Sequence, residues 1–157
     1  MDTRRDFIKK TTIAGVGLAF MPGLTFASNT IKEKLRIGMI GVGLRGTNHL
    51  ENLLLRDDVV ITAICDIDPV RTKLAVEKIT GKGDKKPLVF GKDEYDYRNL
   101  LKLDTVDAVI IATPWLWHTR MAKDAMLNGK YTGVEVSAAN TLEECWDLVN
   151  VHEQTGT

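Results

Sequence analysis

After residue 30 the apolar positions change period repeatedly. Leu35 to Ile40 (LRIGMI) reads as a strand, and Leu50, Leu53 and Leu54 behind it fall on one helical face. Val59 to Cys65 (VVITAIC) is a continuous apolar run, the pattern of a parallel strand buried on both faces. Pro69 opens a helix at its favoured first position and Gly81 ends it. A short strand over Leu88 to Phe90 and a helix around Tyr95 to Leu101 follow. Asp107 to Ala112 (DAVIIA) is another buried strand, then a helix runs from about His118 to Asn128 and is closed by Gly129. Val134 to Val136 reads as the next strand. Thr141 with Glu144 supplies a capping box for a last helix carrying Leu142, Cys145, Leu148 and Val149. This alternation predicts an α/β fold, a doubly wound parallel sheet in a three-layer αβα arrangement.

The turn after the first strand carries chemistry. Gly41-Val42-Gly43-Leu44-Arg45-Gly46 has the GxGxxG spacing between a predicted strand and a predicted helix. Gly41 permits the tight turn, Gly43 lets a pyrophosphate approach the backbone, and Gly46 lets helix and strand pack closely. A carboxylate is then required at the end of the second strand, and Asp66 in CDID stands there. It would accept hydrogen bonds from the adenosine ribose and repel a 2′-phosphate, so the pattern predicts a Rossmann domain that binds NAD rather than NADP. A glycine turn with Asp66 as a simple helix cap is the plainer alternative.

Loops at the carboxyl ends of parallel strands line the ligand crevice. Ala112 to His118 (ATPWLWH) is such a loop. Trp115 and Trp117 are expected to sandwich the adenine or nicotinamide half, and His118 to donate to a ribose or phosphate oxygen. The alternative has the tryptophans filling a core and His118 capping the next helix. At the following strand end, GVEVSAAN places Glu135 with no base beside it. His49 and His152 read as solvated helix-surface residues, and no His/Cys/Asp cluster has metal-ligand spacing.

Charge is balanced, 21 basic against 21 acidic residues, which gives no sign of a nucleic-acid partner. Cys65 and Cys145 read as buried, reduced thiols. Residues 1–30 form a separate segment. Thr3-Arg4-Arg5-Asp6-Phe7-Ile8-Lys9 resembles a twin-arginine (Tat) export signal, and Thr25-Phe26-Ala27 offers small residues for cleavage. Glycines, Pro22 and threonines make the uncharged run between them a poor membrane anchor. Export by that route carries folded proteins, which suits a cofactor loaded in the cytoplasm. A periplasmic or secreted location is therefore expected.

GVGLRG, CDID, IATPWLWH and GKYTGVEVS stand in the order and spacing of the Gfo/Idh/MocA oxidoreductase family. The twin-arginine start and the wording from Asp107 to Val149 more closely resemble glycoside hydrolase family 109, NAD-dependent α-N-acetylgalactosaminidases. In typical members of the larger family the residues after the fifth strand are Glu-Lys-Pro, and the lysine assists hydride and proton transfer. Here they are Glu135, Val136 and Ser137. The missing lysine argues against an ordinary sugar dehydrogenase. By resemblance, Leu44 and Arg45 contact the pyrophosphate and Asp66 the adenosine ribose. Trp115, Leu116, Trp117 and His118 line the cofactor channel, and Glu135 and Val136 lie near the nicotinamide ribose and ring.

The resemblance implies a redox-neutral cycle on a glycan ending in α-linked N-acetylgalactosamine. The sugar C3 hydroxyl is oxidised to a ketone by tightly bound NAD, which acidifies the C2 proton. A base removes that proton, the C1 leaving group departs, water adds at C1 and the hydride returns. Retention at C1 is implied. The catalytic residues and sugar contacts are expected in a C-terminal α/β domain beyond Thr157, so residues 31–157 read as a truncated Rossmann domain, inactive alone. An exported NAD-dependent sugar dehydrogenase, or a non-catalytic NAD- and sugar-binding protein, are the competing readings. The natural glycan and the oligomeric state, a homo-oligomer included, stay open.

Overall fold

A computed structural model describes residues 33–157. Five strands form one parallel sheet: β1 (Leu35–Ile40), β2 (Val59–Cys65), β3 (Leu88–Phe90), β4 (Ala108–Ile111) and β5 (Tyr131–Val134). Their spatial order is β3-β2-β1-β4-β5, so the connection reverses direction between β1 and β4, where a ligand crevice opens at the carboxyl ends. The helices are α1 (Leu44–Leu53), α2 (Pro69–Gly81), α3 (Tyr97–Leu101), α4 (His118–Leu127) and α5 (Leu142–Thr155), with a 3₁₀ turn over Trp115–Trp117.

Two apolar cores, one on each face of the sheet, make the three layers. Ile37, Met39, Val59, Ile61 and Ile64 pack with Leu50 of α1 and with Ala75 and Ile79 of α2. On the other face Ile40, Ala63, Cys65, Val109 and Ile111 pack with Tyr97, Leu100 and Leu101 of α3 and with Met121, Ala122 and Ala125 of α4. The odd-numbered Ile61 and Ala63 reach opposite faces because the pairing steps from Ile37 opposite Ile61 to Gly38 opposite Ala63, leaving Thr62 as an extra residue.

Local chemistry sets the element ends. Asp68, and not Asp66, caps α2 by accepting from the Val70 amide; Pro69 takes the first position, as the sequence predicts. Gly81 is the last helical residue of α2, while the left-handed turn falls two residues on at Gly83 (φ 89°). Gly129 closes α4 with φ 70°. At α5, Thr141 Oγ1 accepts from the Glu144 amide, but the Glu144 carboxylate reaches back to the Asn140 amide, one residue before the cap. The capping box is therefore displaced by one residue on its return side.

Three expectations change. The fifth strand is Tyr131–Val134, earlier than Val134–Val136, so Glu135 and Val136 lie just beyond it and Val136 is exposed. The apolar segment is longer than the part that finds a paired neighbour in β4. On α5 only Val151 is buried; Leu142, Trp146 and Val149 are exposed, and Cys145 is an exposed free thiol. That helix packs on α4 along one narrow stripe, so the apolar residues beside the stripe stay open.

Candidate functional site

The glycine turn is fixed by three different constraints. Gly41 has φ 84°, and a Cβ there would stand 2.8 Å from the Ala112 carbonyl carbon. At Gly46 a Cβ would come within 2.0 Å of the Gly41 carbonyl oxygen, so α1 can lie against the turn only without a side chain. Gly43, by contrast, has no atom of the described residues within 4 Å of where its Cβ would be. Its backbone is open to the crevice as the cap of α1, with no side chain capping that end. The first amides of a helix lack internal acceptors and carry partial positive charge, which suits a phosphate.

Asp66 stands across the turn at the end of β2. Its Oδ2 accepts from the Val42 amide at 2.8 Å and its Oδ1 from the Asp68 amide at 2.9 Å. These bonds aim the carboxylate into a cavity of about 390 Å³ lined by Gly41, Gly43, Leu44, Arg45, Asp66 and Trp117, among others. The volume is in the range of small-molecule and cofactor sites. An open glycine backbone, an uncapped helix start, a cation and an aimed carboxylate in one cleft fit a dinucleotide: pyrophosphate against Gly43 and Arg45, ribose against Asp66. Cys65 lies beneath, with burial pushing its thiol up to about 12.

The loop after β4 divides. Trp117 lines the cavity and meets Tyr95 edge-on at 5.6 Å, with the Arg120 guanidinium 5.4 Å from its ring. Trp115 and Leu116 are exposed and border a separate hollow with Pro114 and Asn140. The two tryptophans therefore do not face each other across one ligand, because the 3₁₀ turn points them into different hollows. His118 is buried, with Nε2 2.7 Å from the Thr113 carbonyl oxygen and Nδ1 2.8 Å from that of Ser137. Its ring nitrogens face protein carbonyls rather than the cavity. It ties the loop after β4 to the loop after β5, and Thr119 Oγ1 does the same by donating to the Ala138 carbonyl at 2.9 Å.

At the end of β5, Glu135 Oε1 takes hydrogen bonds from His49 Nε2 and from the Arg45 guanidinium, each at 2.7 Å. Its Oε2 accepts from the Val136 amide at 3.1 Å. His49 first and Arg45 second hold this carboxyl below the usual carboxylate range. His49 is thus a hydrogen-bond partner of Glu135 at the site, not the solvated surface residue its sequence position suggests. Its spacing from Arg45, one helical turn, was the available signal.

A model of the Gfo/Idh/MocA oxidoreductase family, with an NAD-binding Rossmann fold, matches residues 35–157. The chain belongs to that family. As a Gfo/Idh/MocA domain it takes NAD as its cofactor. It is 42% identical to a glycosyl hydrolase family 109 protein of Solibacter usitatus, over 98% of this chain and 37% of that one. It is 40% identical to an α-N-acetylgalactosaminidase of Tannerella forsythia, over 99% of this chain and 37% of the relative. The chain thus spans a little over a third of the length of these curated relatives. Among solved structures, the WlbA dehydrogenase of Chromobacterium violaceum in complex with NADH and UDP-GlcNAcA superposes with a TM-score of 0.70. That match has 23% identity and covers 81% of this chain and 34% of that one. The apo scyllo-inositol dehydrogenase of Lactobacillus casei gives 0.69 at 19% identity, covering 80% and 35%. Both share the Rossmann fold of this chain.

Sequence reasoning missed Asp93, Glu94 and Tyr97, which also line the cavity. All three follow β3 at the carboxyl edge of the sheet, so topology would have nominated them once the strand was placed.

Proposed function

We propose that this chain is the NAD-holding N-terminal part of an exported glycosidase that removes terminal α-linked N-acetylgalactosamine by a redox-neutral cycle. The observation that supports this most is the site after β5. The position of the family's usual lysine is Val136, whose side chain is exposed, and among the described residues no lysine lines the cavity. Glu135 beside it is occupied by His49 and Arg45. This chain's end of the cleft therefore holds a dinucleotide without offering the proton relay of a sugar dehydrogenase. The likeness to family 109 relatives over nearly the whole chain points the same way.

Bound NAD supplies a reversible hydride acceptor. The chain's own residues bind and orient it. Gly43, the start of α1 and Arg45 would meet the pyrophosphate, Asp66 would receive the adenosine ribose hydroxyls, and Trp117 would wall the channel. Glu135 presents a fixed anion on the nicotinamide side. Proton transfer to and from the sugar is not assigned to Glu135, whose oxygens are taken by His49, Arg45 and the Val136 amide.

The test uses the gene product that carries this chain, with an aryl α-N-acetylgalactosaminide in deuterated water. The reading expects aryl alcohol release, deuterium at C2 of the sugar and no net NADH. Net NADH formation from the free sugar would instead favour a dehydrogenase. Export is proposed from Arg4 and Arg5, which lie outside the described residues. Replacing both with lysine should hold the protein in the cytoplasm, and continued export would remove that part of the proposal.

A further inference from the structure

We propose that His49 is the positioning residue for Glu135, holding its carboxylate at the end of β5 while Arg45 is free to turn toward an anion in the cleft. The inference rests on the NAD-binding reading and adds a division of labour between the two side chains that hold Glu135. Arg45 and His49 stand one helical turn apart on α1, so their side chains leave the same helix face. Both reach one oxygen, Glu135 Oε1, across 90 and 86 residues of chain.

Their surroundings differ. The Arg45 side chain is 63% exposed and lines the main cavity. The His49 side chain is 35% exposed and lies on the far side, in a hollow with Asn52, Leu53, Arg56 and Ile110. Long exposed guanidinium groups reorient at small cost, whereas a short ring packed behind a carboxylate does not. A pyrophosphate arriving at Gly43 competes with Glu135 for Arg45. His49 keeps Glu135 in place during that exchange. With Val136 donating to Oε2, the carboxylate is a fixed acceptor rather than a base.

Two measurements test this, with thermal melting of each variant as a folding control. The first follows the Glu135 side-chain carboxyl by ¹³C NMR through an acid titration. His49→Ala should raise its midpoint more than Arg45→Ala does, and His49→Gln, which keeps a donor near the Nε2 position, should restore much of the wild-type value. The second measures NAD binding to the chain. His49→Ala should weaken it about five- to tenfold, with His49→Gln within about twofold of wild type. In a Glu135→Gln background, His49→Ala should add little further loss. An unmoved Glu135 midpoint, or unchanged affinity in His49→Ala when the wild type binds NAD, overturns the proposal. If wild type binds no NAD but the midpoint moves as expected, the cofactor reading fails and the clamp stands.

Discussion

The Asp66 carboxylate accepts a hydrogen bond from the Val42 amide at 2.8 Å. Together with the Gly41 amide, which donates to the Cys65 carbonyl at 2.8 Å, this bond couples the end of β2 to the glycine turn after β1, so the groups meant for ribose and for pyrophosphate move as one unit. The second carboxylate oxygen is held by the Asp68 amide, which also starts the cap of α2. Pre-aimed groups lose less freedom on binding, so more of the contact energy appears as affinity.

Two glycines of the turn should respond in opposite ways to the same change. Gly46→Ala places a methyl 2.0 Å from the Gly41 oxygen and should destabilise the fold by about 3 kcal/mol or more. Gly43→Ala meets nothing within 4 Å among the described residues and should leave melting within a few degrees of wild type. Its methyl enters the cleft, however, so NAD affinity should fall by roughly tenfold or more. Denaturant unfolding and NAD titration of the two variants check both halves.

His118 is buried between two carbonyls. His118→Ala removes the ring that bridges these carbonyls and leaves a cavity, for an expected loss of about 2–4 kcal/mol in urea unfolding. Amide exchange should rise in residues 136–140, the segment tied to the loop after β4 through His118 and Thr119. Equal exchange in wild type and variant would show that the tie is dispensable.

The thiols should separate cleanly. Cys145 is exposed, whereas Cys65 is buried with its thiol raised to about 12. Thiolate is the reactive form, so maleimide at neutral pH should add once to the native chain and twice after unfolding. Mass spectrometry should place the first adduct on Cys145.

Acid should weaken the fold through identifiable carboxylates. Glu135 is held below its usual range by His49 and Arg45, Asp107 by Arg36, and Asp96 by the Lys92 and Gly91 amides. Because these values are depressed on folding, their stabilisation is complete above the ordinary values of 4.5 for Glu and 3.8 for Asp. It is lost as pH falls through the lower native values. Unfolding free energy should therefore be insensitive to these groups from neutrality to about pH 5 and drop below that. Asp107→Asn should flatten the acid limb, and an unchanged limb would remove Asp107 from the account.

The sheet was readable because VVITAIC and DAVIIA are buried on both faces, which leaves a continuous apolar signal. β1 and β2 match the expected bounds residue for residue. β5 was misplaced because YTGV mixes an exposed tyrosine with a glycine, while the more apolar-looking Val136 lies past the last pairing with β4. The glycine turn was legible since each glycine answers a steric demand that other residues meet poorly. The partners of His118 and His49 were not. Both depend on loops distant in sequence, and an imidazole on a helix gives no sign of what will face it.

The cleft is expected to take NAD through Asp66 and to exclude its 2′-phosphorylated form. Calorimetric titration of the chain with NAD⁺ and separately with NADP⁺ tests it most directly. One molecule of NAD⁺ per chain is expected, with NADP⁺ at least about tenfold weaker because Asp66 meets its extra phosphate. Equal or tighter binding of NADP⁺, or no binding of either, would contradict the account.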